Sequence, residues 1–174
     1  MKKFILLVAI AFFVSTGAFA QASFGIKGGA NFGGYSGETI KLSNVTQWQL
    51  GIAARFKLPI LQLGVQPEIL YQWENNRNSS DPDDTDYIHI PLNAISQFQI
   101  LGIGTFITAG PYLTYSSNFR KGFDFNNFQF VDWGIGLGGG VELGKLQVGL
   151  RMQWSLHDFE AKGRSLAVVA GFFF

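Results

Sequence analysis

The sequence predicts an all-β protein: a closed, eight-stranded, antiparallel up-and-down β-barrel that crosses a membrane with its strands. Three observations carry this expectation. Eight segments of about 10 residues alternate apolar with small or polar side chains, the period and length of a membrane-crossing strand. The connections between them alternate short and long. Only 14% of the residues are charged while 16% are aromatic, against about 25% charged in an ordinary water-soluble domain.

The 174 residues suit one domain and include no cysteine. Disulfides, thiolate metal sites and thiol nucleophiles are therefore excluded. The formal charge is +1, and without Lys2 and Lys3 it becomes 11 basic against 12 acidic residues. That balance excludes a strongly basic nucleic-acid binder.

Residues 1–20 read as a secretory signal peptide. Lys2 and Lys3 precede an apolar run from Phe4 to Val14, then Ser15, Thr16, Gly17 and an Ala18-Phe19-Ala20 cleavage site. Cleavage is expected before Gln21, leaving residues 21–174 as an exported barrel domain. The apolar run is shorter than the roughly 20 residues a helix needs to span a bilayer. No cysteine follows the site, so a lipoprotein anchor is excluded, and no later stretch suits a helical span.

The first strand is expected over Phe24–Phe32, with Phe24, Ile26, Ala30 and Phe32 opposite Lys27 and Asn31. The second, Trp48–Leu58, sets Trp48, Leu50, Ile52, Ala54 and Phe56 against Gln49, Gly51, Ala53 and Arg55. In the third, Leu61–Trp73, the polar face carries Gln62, Gly64, Gln66, Glu68 and Gln72. The fourth, Tyr87–Phe98, keeps Ile88, Ile90, Leu92, Ala94 and Phe98 in phase. The fifth, Ile103–Tyr115, leaves its phase open, because Phe106 and Tyr112 oppose Ile103, Ile107 and Leu113. The sixth, Val131–Leu143, opposes Trp133, Ile135, Leu137 and Val141 to Asp132, Gly134, Gly136, Gly138, Gly140 and Glu142. The seventh, Leu146–Leu156, opposes Val148, Leu150, Met152 and Trp154 to Gln147, Gly149, Arg151 and Gln153. The eighth carries Leu166, Val168, Ala170, Phe172 and Phe174. Successive strand side chains point to opposite faces, so each segment is two-faced.

Tight connections fall at Pro59-Ile60, Gln99–Leu101 and Gly144-Lys145; long polar ones fall at 33–47, 74–86, 116–130 and 157–164. Short turns at one end and long loops at the other fit a membrane barrel. An even strand count puts both termini at the short-turn end.

A soluble barrel would share the alternation but turn its apolar face inward. Glycine decides between them. An eight-stranded barrel has room inside only for side chains. Glycine on the inner face leaves space for long neighbours, whereas on a solvated face it would only weaken the strand. The aromatic residues agree. Trp48, Trp73, Trp133 and Trp154 all lie in the apolar phase beside long loops, as an outer interfacial belt; Phe56, Phe98, Phe172 and Phe174 lie at the opposite ends. The terminal Phe172 and Phe174 resemble the targeting signal of bacterial outer-membrane barrels. In hydrocarbon an open sheet edge is too costly, so the eighth segment must pair with the first.

Several blocks carry a family resemblance: Ile26-Lys27-Gly28-Gly29-Ala30-Asn31-Phe32, Gln66-Pro67-Glu68-Ile69-Leu70-Tyr71, Tyr87-Ile88-His89-Ile90-Pro91-Leu92, Ala109-Gly110-Pro111-Tyr112, and Asp132-Trp133-Gly134-Ile135-Gly136 through Val141-Glu142-Leu143 with Leu150-Arg151. In this order they resemble the PorT-like outer-membrane β-barrel domain family of Bacteroidota. The resemblance implies an eight-stranded barrel in the bacterial outer membrane and little about activity. The same blocks place Pro67, Pro91 and Pro111 inside strands, where bulges or local loss of pairing are expected.

Six charges fall mid-strand on the inner face: Lys27, Arg55, Glu68, Asp132, Glu142 and Arg151. Buried charges must be paired, so an interior polar network is expected, with Glu68 and Arg151 as its first pair. A polar path for small solutes is the alternative. A lipid-acting enzyme is a second alternative, but it needs serine, histidine and an acid at one height. Ser155, His157 and Asp158 do not provide that, since Asp158 points away along an extended strand, and His89 stands alone on the inner face. No catalytic residue, cofactor or metal site is assigned. Asp81, Asp83, Asp84 and Asp86 form an acidic loop without ordered calcium-loop spacing. The glycines from Gly134 to Gly140 are not a dinucleotide fingerprint, because no helix follows them. The segment holding Phe119, Arg120, Lys121, Phe123, Asp124, Phe125, Phe128 and Phe130 suits either a loop contact with an extracellular protein or glycan, or a cap on the barrel mouth. The expected partners are outer-membrane lipid, the barrel-assembly machinery during insertion, and such a loop ligand; nucleic acid is not among them.

Overall fold

The computed structural model describes residues 21–34, 47–58, 62–74, 86–101, 103–117, 129–156 and 164–174. The expected signal peptide lies outside the described residues, as do the middles of all four long connections. Eight strands follow in chain order: β1 (Gln21–Gly34), β2 (Gln47–Lys57), β3 (Leu63–Glu74), β4 (Asp86–Ile100), β5 (Ile103–Ser117), β6 (Gln129–Leu143), β7 (Leu146–Ser155) and β8 (Arg164–Phe173). Each pairs antiparallel with its chain neighbour, and β8 returns to β1, from Gly25↔Phe173 to Gly34↔Arg164. The result is the closed antiparallel barrel that the alternation predicts. Closure leaves no edge, which is what a hydrocarbon surround demands of a sheet.

The two faces divide as the glycine argument requires. Ile52, Phe24 and Leu137 are 62%, 55% and 54% exposed on the outer surface, whereas Gln66, Glu68 and Arg55 are 0%, 1% and 2% exposed inside. A protein in water would reverse this order, since burying charge without partners is costly. β5 settles its own phase: Phe106 and Tyr112 are buried inside, and Ile103, Ile107 and Leu113 face out.

Glycine makes room for those two rings. Tyr112 is the register partner of Gly134, and a methyl group on Gly134 would sit 2.7 Å from the Tyr112 hydroxyl. Phe106 is the partner of Gly140, which pairs in turn with Gly149. A methyl group on Gly149 would lie 2.8 Å from Phe106 Cζ.

The three prolines cost pairing without shifting register. The β2–β3 ladder skips Gln66 and Pro67, the β3–β4 ladder skips Ile90 and Pro91, and the β4–β5 ladder skips Gly110 and Pro111. Each proline loses its link to the preceding strand and keeps partners on the following one (Pro67↔Leu92, Pro91↔Tyr112, Pro111↔Ile135). The missing N–H faces one neighbour only, so one ladder opens and the other holds. The register shift of the β5–β6 ladder lies elsewhere, between Thr114 and Tyr115.

Ile100↔Ile103 and Leu143↔Leu146 close two-residue turns. Gly144 takes φ +63° in the second, a conformation that glycine adopts without strain.

Candidate functional site: the charged interior

Glu68 is the hub of the interior. It projects from β3 beside the small side chain of its register partner Ala53. Lys27 Nζ of β1 donates to Glu68 Oε1 at 2.8 Å. Arg151 Nη2 of β7 donates to Oε1 and Oε2 at 2.8 and 2.7 Å. Gln66 Nε2 and Asn93 Nδ2 donate to Oε1 at 2.8 and 3.3 Å. Four strands therefore converge on one carboxylate at mid-lumen. Arg151 reaches it because its register partners Gly138 and Ala167 take little space.

A second group lies toward the short-turn end. Arg55 Nη1 donates to Glu142 Oε1 at 2.7 Å and Arg55 Nε to Gln66 Oε1 at 3.1 Å, tying this pair to the hub. Gln97 Nε2 also donates to Glu142. The guanidinium of Arg55 lies 4.0 Å over the ring of Phe173, a cation–π geometry. Beyond this pair opens a cavity of about 670 Å³, lined among others by Lys57, Gln62, Gln97, Gln99, Thr105 and Glu142.

Asp132 stands apart from the other five charges. At the long-loop end it accepts from Ser155 Oγ at 2.5 Å and Tyr112 Oη at 2.9 Å. Nearby, both ring nitrogens of His89 are engaged, by Thr114 Oγ1 at 3.0 Å and Gln153 Nε2 at 2.7 Å. Ser155 and His89 therefore serve separate partners. His157, Asp158, Asp81, Asp83, Asp84 and the aromatic segment from Phe119 to Phe128 lie outside the described residues. Asp86 is described and accepts from Tyr71 Oη at 2.5 Å. Among the described residues no group of three His, Asp or Glu side chains gathers as a metal site.

The tryptophans fall at the long-loop ends of their strands. Trp48 and Trp73 are register partners on β2 and β3; Trp133 and Trp154 sit across the barrel on β6 and β7. Tyr115 and Phe130 add an edge-on pair with centroids 5.7 Å apart. Phe172 and Phe174 face outward at the other end, where the Phe174 N–H donates to Phe24 O at 2.8 Å.

Sequence reasoning placed Gln66 and Gln147 on the inner face without naming them among the interior polar residues, and did not single out Asn93, Gln97 or Phe173. The signal was present in the polar ones: an amide in the inner phase of a strand with a greasy outer face is a network member. Phe173 gave no such signal, because the apolar phase of β8 points to Phe172 and Phe174. Among the described residues, buried atoms with no protein hydrogen-bond partner include Gln49 Nε2, Arg55 Nη2, Arg151 Nη1 and both amide atoms of Gln147.

Residues 4–174 match the family model described as the outer membrane protein beta-barrel domain. Among solved structures, neisserial surface protein A (NspA) aligns at 19% identity and TM-score 0.57, over 88% of this chain and 97% of that one. The N-terminal β-barrel domain of Pseudomonas aeruginosa OprF aligns at 16% identity and TM-score 0.47, over 88% and 100%. Yersinia pestis Ail, solved with the heparin analogue sucrose octasulfate, aligns at 14% identity and TM-score 0.49, over 88% and 97%. No curated protein matches the chain.

Proposed function

The chain belongs to the outer membrane protein beta-barrel domain family, and from that premise we propose that it is a small barrel with a structural or surface-interaction role and no catalysis. The observation that carries this reading is the hub on Glu68. Arg151 reaches the carboxylate from the opposite wall and Lys27 from two strands away, and Gln66 and Asn93 join it from its own strand and the adjacent one. An eight-stranded lumen crossed by such a network has little room left for a permeant solute.

Function then lies on the outside of the molecule. Residues 1–20 direct export and are removed before Gln21. Phe172 and Phe174 are recognised by the barrel-assembly machinery, and the outward stripe meets outer-membrane lipid. The tryptophans mark the outer interface, and the long connections face the medium, where an extracellular protein or glycan is the partner. The blocks around Gln66-Pro67-Glu68 and Ala109-Gly110-Pro111-Tyr112 favour a PorT-like member of the family.

One observation favours a second reading, a narrow pore: a cavity opens at the short-turn mouth of the lumen beside Glu142. Planar-bilayer recording separates the two. The structural reading expects silent bilayers from the folded wild-type barrel. An ion-scale current that changes with Glu68→Ala would overturn it and establish the pore.

A further inference from the structure

We propose that the cavity at the short-turn mouth is a binding site for the carboxyl end of a short peptide. The inference goes beyond the structural reading and does not depend on whether the barrel conducts. In the orientation proposed above, this mouth opens to the periplasm.

The inner faces of β2, β4, β5 and β6 build the cavity. Its volume of about 670 Å³ lies within the roughly 300–1,000 Å³ of small-ligand sites. Lys57 ends β2, Gln62 precedes β3, Gln97 and Gln99 stand in the inner phase of β4, and Glu142 stands in that of β6. Gly104 is the register partner of both Gln99 and Glu142, so the wall between them carries no side chain.

Charge selects the ligand. Glu142 accepts from Arg55 on one oxygen and from Gln97 on the other. Lys57 has no ion-pair partner among the described residues. It is therefore the one uncompensated charge lining the cavity, whereas Lys145 lies outside the lining. An anion satisfies it. The amides select which anion. The side chains of Gln62 and Gln99 make no hydrogen bond among the described residues, and Gln97 keeps its carbonyl free after donating to Glu142. A carboxamide presents both donor and acceptor, the same pair that a peptide group presents. An ammonium beside three carboxamides fits a carboxylate followed by peptide groups, as in the capture of peptide C-termini.

The backbone supplies an independent sign. Among the described residues only Gln62 and Leu101 are non-glycine residues with positive φ, at +50° and +52°. Gln62 lines the cavity, and Leu101 lies in the turn between the lining residues Gln99 and Ile103. Left-handed backbone is costly for a residue with a Cβ. Glycine would remove that cost at position 62, so the strain there points to a task for the glutamine side chain.

The test uses the ¹⁵N-labelled full chain folded in detergent micelles and follows the amides of Gly104 and Gly144 at low salt. The probe is acetyl-tetraalanine with a free carboxylate; its C-terminal amide and sodium acetate are the controls. The peptide acid is expected to shift these amides saturably. The peptide amide should bind about tenfold more weakly or worse, the loss of one charge-assisted hydrogen bond. Acetate should also bind more weakly, because it has no peptide groups. Lys57→Met is expected to abolish the preference for acid over amide. Gln62→Gly should weaken the peptide acid while leaving the urea midpoint of the folded band near wild type. Absence of a saturable shift, equal affinity for acid and amide, or a preference that Lys57→Met retains overturns the proposal. Acetate binding as tightly as the peptide overturns the peptide assignment. If a variant fails to fold, the wild-type comparison of acid, amide and acetate decides.

Discussion

Strands β3 and β4 fill the lumen, whereas β6 clears it. On the inner face β3 carries Gln66, Glu68, Leu70 and Gln72, and β4 carries His89, Pro91, Asn93 and Ile95, all of them buried. β6 offers Gly134, Gly136, Gly138 and Gly140 between two acids. The two walls are complementary parts of one packing solution, since an axis this narrow cannot accept long side chains from every strand. Their backbones differ in the same sense. The ladders that join β2 through β5 are each interrupted beside a proline, while β6 pairs with β7 without a gap from Gly134↔Ser155 to Leu143↔Leu146. The filled wall is held by side chains. The bare wall depends on its backbone, which offsets the weakness of a glycine-rich strand.

Breaking the filled wall should have the largest effect. Glu68→Gln keeps the shape of the side chain and removes its charge. Lys27 and Arg151 are then left buried without a counter-charge. Loss of one partner from a buried ion pair costs about 3–5 kcal/mol, so the urea midpoint of the folded band should fall steeply. A loss within about 0.5 kcal/mol, the range of an ordinary surface change, would show that the hub is not what holds β1, β3 and β7 at this height.

The bare wall should respond to addition rather than removal. Gly134→Ala would bring a methyl group 2.7 Å from Tyr112 Oη and closer still to the carbonyl of Trp154. Overpacking of this kind costs about 1–3 kcal/mol. Two residues along, Gly136→Ala meets Gln153 Cγ at 3.6 Å, Met152 O at 3.7 Å and Gly110 O at 3.9 Å, all ordinary contacts. It should fall within about 0.5 kcal/mol of wild type. Equal costs at the two positions, read from the same urea titration, would mean that strand propensity rather than interior space selects glycine in β6.

The contrast between the walls also marks how far the sequence could be read. Period two placed the eight strands, because one greasy face and one polar face leave a single register for each segment. It fixed the outward direction of Ile52 and Leu137 and the inward direction of Arg55 and Gln147. It left β5 open, because Phe106 and Tyr112 are apolar residues that face inward, and only Gly134, Gly140 and Gly149 across the register explain where their rings go. Contacts across the axis were beyond it. Which cation meets which acid depends on the stagger accumulated around the closed sheet, as at Gly25↔Phe173. That quantity belongs to all eight strands together and to no single segment. Asp132 shares the inner phase with Glu142 on β6, yet serves Tyr112 and Ser155 at the opposite end of the lumen.

The smallest expected effect sharpens the backbone side of the comparison. Pro111 faces outward on β5, and its missing N–H leaves the β4–β5 ladder open opposite Leu92. Pro111→Val supplies an N–H directed at β4 and a branched side chain suited to a lipid-facing strand. One backbone hydrogen bond contributes about 0.5–1.5 kcal/mol, and a hydrocarbon surround raises its value. Freeing the unfolded chain from proline opposes this by about 0.4–1 kcal/mol. The net expectation is stabilisation of about 1 kcal/mol or less, seen as a small rise in the urea midpoint and slower exchange of the new amide. A loss of stability instead would mean that the filled wall is bent around its prolines. The gaps in its ladders would then be part of how Glu68, Asn93 and His89 are aimed.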